Sequence, residues 1–186
     1  QKLANILKQV EHMTVMLDDV LLIEKANAGK LDVQWKEIIL DDFFSNLCAE
    51  VQRSKGNTHH IRVHKSLVFD RVSSDDKLLR SIFINLLTNA IKFSPPHSTI
   101  YLTCTSNNKS IVISVEDEGP GIRKDEQPLL FRRYKRLSSV PTGGESSSGL
   151  GLAITKRLTE EIFMGTITYH DGQKGGSVFS VELPLA

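Results

Sequence analysis

The chain is poor in cysteine and tryptophan, and it lacks the two commonest nucleotide-loop signatures. Its two cysteines, Cys48 and Cys104, lie far apart, with no CxxC and no Cys/His cluster. That excludes a zinc-ligand spacing and a disulfide framework. A reduced, cytosolic compartment fits best, with both thiols as small buried hydrophobes. No apolar run approaches the roughly 20 residues needed to span a bilayer, and no signal peptide is visible. Neither sign of charge dominates: 23 basic and 22 acidic residues leave a net charge of +1. Nothing global therefore points to nucleic acid. Neither GxxxxGK[ST] nor GxGxxG occurs, which excludes the Walker-type phosphate loop. There is no internal repeat and no long low-complexity tract. What remains is 186 residues, 40% hydrophobic and 24% charged, enough for one ordinary domain with a real core plus an extra element.

Asp75 to Pro95 reads as the central helix. Leu79, Ile82, Phe83, Leu86, Leu87 and Ala90 recur at helical spacing. Ser73 or Ser74 is the expected cap, Asp75 and Asp76 suit the positive end of the dipole, and Ser94-Pro95-Pro96 ends the run. Upstream, residues 3 to 28 read as a long helix. Leu3, Ile6, Val10, Met13, Leu17 and Val20 form a seam of alternating threes and fours, closed by Gly29. The seam predicts packing against a partner helix, with packing on its own domain as the alternative. A short segment at 35 to 40, a helix from Asp41 or Asp42 to about Lys55, a turn at Gly56-Asn57 and a strand around Ile61 and Val63 follow.

Beyond Pro96 the pattern predicts strands at 99 to 106 and 110 to 116 joined by Asn107-Asn108, and a short helix at 124 to 131. A polar, mobile loop is expected at 132 to 148, then a helix opening at Gly149 and running to about Met164. Strands at 166 to 170 and 177 to 184 close the chain. Without βαβ alternation, this order predicts an α+β fold: a two-layer sandwich whose mixed, mostly antiparallel sheet carries helices on one face, preceded by the long N-terminal helix.

Three local patterns carry chemistry. Asn85, Asn89 and Lys92 fall on one stripe of the central helix, either a wet helix face or a set of hard amide oxygens and a phosphate cation. Asp117, at a strand end and followed by Gly119 and Gly121, is either a simple turn or an acceptor for an exocyclic amine. Ser148-Gly149-Leu150-Gly151 precedes a helix, as an ordinary flexible loop with a cap or as a phosphate cradle.

Taken in order, N-x-x-x-N-A-x-K-F, D-x-G-x-G-I and S-G-L-G-L resemble the ATP-binding domain of sensor histidine kinases, within the Bergerat-fold superfamily. Leu-Phe-Arg-Arg-Tyr at 130 to 134 looks like that family's phenylalanine box, and Gly175-Gly176-Ser177-Val178-Phe179 like its closing strand. Residues 13 to 31 resemble the second helix of the dimerisation and phosphoacceptor domain. The resemblance thus implies a division into a dimerisation remnant at 1–31 and an ATP-binding domain at 32–186. It implies ATP and Mg²⁺ as cofactors, with Asn89 on the metal and Asn85 as a second polar contact. Lys92 would meet the phosphates, and Phe93 would pack near adenine. Asp117 would accept from the adenine amino group, partly through a water shared with Ser177. Gly119, Gly121 and Ile122 would line the base pocket, and Arg136 of the 132–148 lid would reach the terminal phosphate. Ser148, Gly149, Leu150, Gly151 and Leu152 would hold the phosphate end.

The related hydrolases place a glutamate at the Asn85 position; an amide cannot act as a general base, so ATP would be spared for transfer to a protein nucleophile. No H-E-x-x-x-P box occurs: His12 stands in Val-Glu-His-Met, and His59, His60, His64, His97 and His170 read as surface residues. The expectation is therefore a histidine kinase fragment that does not phosphorylate itself. Its partners would be a receiver domain and the dimerisation domain of its own homodimer, with no nucleic acid. It would be cytoplasmic, in a full-length protein with room for a membrane anchor. A regulatory nucleotide-binding module and an ATP-hydrolysing Bergerat protein are the alternatives. Phe163-Met164-Gly165 departs from the family's Gly-Gly pair, and Tyr134 from its phenylalanine.

Overall fold

The strands alternate inward and outward, and that alternation builds the sheet. Ile100, Leu102 and Cys104 point one way from one strand, Ile111, Ile113 and Val115 from the next, and Phe179, Val181 and Leu183 from the last; all are buried. In the computed structural model, which describes residues 2–55, 58–142, 148–173 and 175–185, the order is α1 (Lys2–Asn27), β1 (Lys36–Ile39), α2 (Leu40–Lys55), β2 (His60–Ser66), β3 (Arg71–Ser74) and α3 (Asp76–Phe93). Then come β4 (Thr99–Ser106), β5 (Ser110–Glu116), α4 (Gly151–Arg157), β6 (Thr166–Asp171) and β7 (Ser177–Pro184). The expected turn at Gly56-Asn57 and residues 143–147 of the expected lid lie outside the described residues.

Five strands form one sheet in the order β2-β4-β5-β7-β6; β2 runs parallel to β4 and the other pairs are antiparallel. Helices α2, α3 and α4 supply the second layer. Leu79, Ile82, Phe83, Leu86, Leu87 and Ala90 of α3 are all buried, as their spacing predicts, and Phe43, Phe44 and Leu47 of α2 join them. Each fully buried Leu, Ile or Phe contributes about 1.5–3 kcal/mol relative to exposure. Cys104 sits wholly inside, where burial pushes its thiol up to about 12. Cys48 is half-buried, its thiol raised by the same cause, and both cysteines are free.

Some local expectations need correction. The cap of α3 is Asp75, not Ser73 or Ser74: its Oδ1 accepts from Lys77 N at 2.9 Å and Leu78 N at 3.1 Å. The serines belong to β3, which pairs antiparallel with β1 in a separate two-stranded sheet. Asp75 Oδ2 also accepts from Gln34 N at 2.8 Å, so the cap ties the incoming chain to α3. The short helix expected at 124 to 131 is a single 3-10 turn, Gln127–Leu129. Pro128 lacks an amide hydrogen and denies an α-helix its interior bond. His59 is not a surface residue: it is 8% exposed, and Thr58 Oγ1 lies 2.9 Å from its Nδ1.

Helix α1 ends in a Schellman turn, with Gly29 at φ +63° and Lys30 N donating to Lys25 O at 2.9 Å. Val10, Met13, Leu17 and Val20 of its seam are exposed, whereas Ile23 is buried and its carbonyl accepts from Arg157 Nη1 at 3.4 Å.

Helix α4 widens into a π-helical turn over Leu158–Ile162 and stops at Phe163. Met164 follows at φ +53° with 74% of its surface exposed. A left-handed conformation costs a residue with a Cβ about 1–2 kcal/mol, and Met164 buries little in return. Met164→Gly is expected to raise stability by about 0.5–1 kcal/mol after the extra unfolded-state entropy of glycine is subtracted. Urea denaturation checks this: an upward midpoint shift at constant m-value is the expected result, and a downward shift would show that Met164 packs on something it needs.

Candidate functional site

A cleft of about 380 Å³ opens between α3, the ends of β5 and β7, the 132–141 segment and the start of α4. Asn85, Asn89, Phe93, Asp117, Gly121, Ile122, Arg136, Ser148, Gly149, Gly151, Leu152 and Ser177 all line it. Residues from five separate stretches of chain thus meet at one cavity. The sequence did not single out Leu130, Lys135, Leu137, Val140 or Phe179 as lining residues, yet they supply much of the wall.

Asp117 is 6% exposed at the end of β5. Its Oδ1 accepts from Gly119 N at 2.8 Å and Ser177 N at 3.2 Å. Burial raises its pKa above the ordinary carboxylate range, and those amides pull it part of the way back. Gly119 itself does not line the cleft. A Cβ there would crowd Asp117 Oδ1 and the Phe93 carbonyl at 2.8 Å each, so bare backbone is what lets β5 meet the end of α3.

Asn85 and Asn89 stand one turn apart on α3. Asn85 Nδ2 donates to Thr155 Oγ1 at 2.8 Å, and Asn89 Nδ2 lies 3.5 Å from Asn85 Oδ1. Phe93, beside Asp117, is eight residues along α3 from Asn85, about 12 Å at the helical rise. The cleft therefore runs from a buried carboxylate to a pair of amides. Lys92 lies outside the lining, with its Nζ 5.6 Å above the Phe93 ring. Leu150 is buried in the core behind the loop, and its amide donates to Ser148 Oγ at 3.2 Å.

The base of the wall is braced by a residue the motifs do not mark. Tyr169 of β6 accepts from Ile122 N at 3.2 Å and donates to Asp171 Oδ1 at 2.8 Å. Burial and the Asp171 carboxylate lift its phenol to about 12. Gln127 Nε2 closes the same network on Ile122 O and Asp171 Oδ1. The described part of the expected lid, 132–142 and 148, is irregular chain held at three points, one of them Tyr134 N donating to Gly149 O at 2.9 Å. Glu126 accepts from Ser138 N and Ser138 Oγ at 2.7 Å each, and Thr142 donates to the Lys92 carbonyl.

No His/Cys/Asp/Glu cluster suited to a metal occurs among the described residues. The oxygens offered are the amide carbonyls of Asn85 and Asn89. Hard neutral oxygens in small number fit Mg²⁺ that takes most of its shell from phosphates and water.

Comparison with known proteins places this geometry. The family described as histidine kinase-, DNA gyrase B-, and HSP90-like ATPase matches residues 74–186. The circadian input-output histidine kinase CikA of Synechococcus elongatus is 32% identical over 178 residues, covering 94% of this chain and 23% of its own length. The chain therefore spans about a quarter of that relative. Full-length ShkA, solved in complex with AMPPNP, superposes with a TM-score of 0.79 at 24% identity, over 96% of this chain and 37% of that one. Histidine kinase ThkA, solved in complex with response regulator protein TrrA, superposes at 0.65 with 20% identity, over 96% of this chain and 51% of that one. The chain belongs to the histidine kinase-, DNA gyrase B- and HSP90-like ATPase family, and within it carries the ATP-binding catalytic domain of a sensor histidine kinase.

Proposed function

We propose that this domain binds ATP with Mg²⁺ and delivers the γ-phosphate to a histidine on a dimerisation domain, for relay to an aspartate of a response regulator. The observation that carries this reading is the composition of the cleft. Asp117 is the only carboxylate among its described lining residues, and it is held by Gly119 and Ser177 at the end of the cleft away from Asn85 and Asn89. Among the described residues no lining carboxylate stands near Asn85 and Asn89 to activate water, which favours transfer to an external nucleophile over hydrolysis. ShkA was solved with AMPPNP and ThkA with a response regulator, which supports the same nucleotide class and partner class here.

In this reading Asp117 accepts from the adenine amino group, with Ser177 alongside, while Gly121, Ile122 and Phe93 flank the base. Mg²⁺, when bound, neutralises phosphate charge; Asn89 would hold it, with Asn85 beside it. Ser148, Gly149, Gly151 and Leu152 offer backbone amides to the phosphates, Leu150 anchors that loop from the core with its own amide on Ser148, and Lys92 and Arg136 offer cations. Catalysis is then positioning and charge neutralisation. Residues 1–31 act as part of the dimerisation domain, which suits the exposed Val10, Met13, Leu17 and Val20 seam. Among the described residues no helix is long and apolar enough to cross a membrane.

The test mixes the chain with radiolabelled ATP, Mg²⁺ and a separate dimerisation domain bearing the acceptor histidine. Acid-labile, base-stable label on that domain is expected. Nucleotide binding without label would leave a regulatory module, and steady phosphate release without acceptor would mark a hydrolase.

A further inference from the structure

Thr155 faces inward from α4 and is 1% exposed. Valine would fill the same volume without bringing a hydroxyl into the core. The hydroxyl has a specific use: Asn85 Nδ2 donates to Thr155 Oγ1 at 2.8 Å. The next link follows along α3, where Asn89 Nδ2 approaches Asn85 Oδ1 at 3.5 Å. A primary amide carries its donor and its acceptor on opposite arms. With the nitrogen of Asn85 held by Thr155, its oxygen is turned toward Asn89. With the nitrogen of Asn89 turned to that oxygen, the Asn89 oxygen is the arm left for the cleft that both residues line. Only the oxygen arm can ligate a cation; an amide presented nitrogen-first repels it.

We propose that Thr155 is a positioning residue for the metal-nucleotide end of the site, anchoring the Asn85 amide whose oxygen faces the Asn89 nitrogen and leaves the Asn89 oxygen for the cation. The inference rests on the nucleotide reading above. Gly151 is part of the same arrangement, because a Cβ there would collide with the Asn85 amide and push it off Thr155. A hydroxyl can serve either arm of an amide, so what Thr155 supplies is an anchor; without it the Asn85 amide is free to turn or shift. Asn89 would then have to offer its own oxygen to the Asn85 nitrogen, and the cation would lose its ligand. Partners that orient a metal ligand typically change metal affinity tenfold or more when removed.

Calorimetric titration of the chain with ADP, across a series of MgCl₂ concentrations and in EDTA, tests this. Thr155→Val is expected to raise the Mg²⁺ concentration needed for half-maximal tightening about tenfold, while ADP affinity in EDTA stays within about twofold. Thr155→Ser, which restores the oxygen, should recover the wild-type Mg²⁺ dependence, and Thr155→Ala should reproduce the valine loss if valine crowds the core. An unchanged Mg²⁺ dependence in both Val and Ala variants overturns the proposal. So does an equal loss with and without Mg²⁺, which is what a purely structural role would give, or a failure of serine to rescue. If the unaltered chain binds ADP in neither condition, the nucleotide reading itself fails, an outcome distinct from all of these.

Discussion

Asp117→Asn is expected to weaken adenine-nucleotide binding by about 1–3 kcal/mol, roughly fivefold to 150-fold in Kd, while leaving the empty protein at least as stable. The two effects separate because of how the carboxylate is held. Both backbone amides that reach it, from Gly119 and Ser177, fall on Oδ1. An asparagine oxygen can accept both, so the local turn survives. The other arm then becomes an amide nitrogen, a donor facing the donor of the adenine amino group. In the empty protein the charge is a burden: burial raises the Asp117 pKa. A raised carboxyl favours the folded state fully only below its unfolded pKa, and that contribution is lost as pH rises through the folded value. At neutral pH the fold therefore carries a desolvated carboxylate, which the neutral amide relieves. The same shift makes binding pH-sensitive. Protonation turns the acceptor into a donor, so affinity should fall on acidification sooner than an ordinary carboxylate would allow, and Asp117→Asn should show no such fall. Calorimetry between pH 7 and pH 5, with melting curves of the empty proteins, reads all three effects. Unchanged affinity in Asp117→Asn would remove the carboxylate from the base pocket.

How much of this was legible beforehand depended on the range of each interaction. Strands β4, β5 and β7 and the buried face of α3 follow from period-two and period-3.6 patterns that are complete within one segment. Asp117, Asn85 and Asn89 stood out because glycines and amides break those patterns. The Asp75 cap was hidden among neighbours of similar chemistry. Ser73 and Ser74 were excluded only by pairing with Glu37 and Lys36, in a strand too short to show alternation. Tyr169 was invisible for a different reason: its partner Ile122 is 47 residues away and is reached only through the β6–β7 register that sets Tyr169 opposite Phe179. Thr155 and Glu126 belong with it, since each acts on a residue from another element. Local patterns marked the groups that would touch a ligand; the groups that hold them in place emerged only with the tertiary structure.

Gly176→Ala is expected to be the most damaging single methyl group in the site, and Gly175→Ala is its control. Both glycines have φ +82°, so alanine meets comparable backbone strain at either, about 1–3 kcal/mol. Their surroundings differ. A Cβ at Gly175 meets nothing within 4 Å, whereas one at Gly176 collides with the Asp117 carbonyl and stands 3.2 Å from its Oδ1. The obstacle is backbone, so no side chain can rotate away. Relief requires β7 to draw back from β5 where Asp117 N donates to Ser177 O at 2.9 Å and Ser177 N reaches Asp117 Oδ1. The added crowding should bring the total for Gly176→Ala to about 2–4 kcal/mol, a fall in Tm on the order of 10 °C for a chain of this size. Gly175→Ala should show the strain alone. Because the displaced strand carries Ser177 and the collision is with Asp117 itself, Gly176→Ala should also lose ADP affinity, while Gly175→Ala keeps it. Equal melting shifts in the two variants would mean that β7 does not press on Asp117, and that the base end of the cleft is looser than its hydrogen bonds imply.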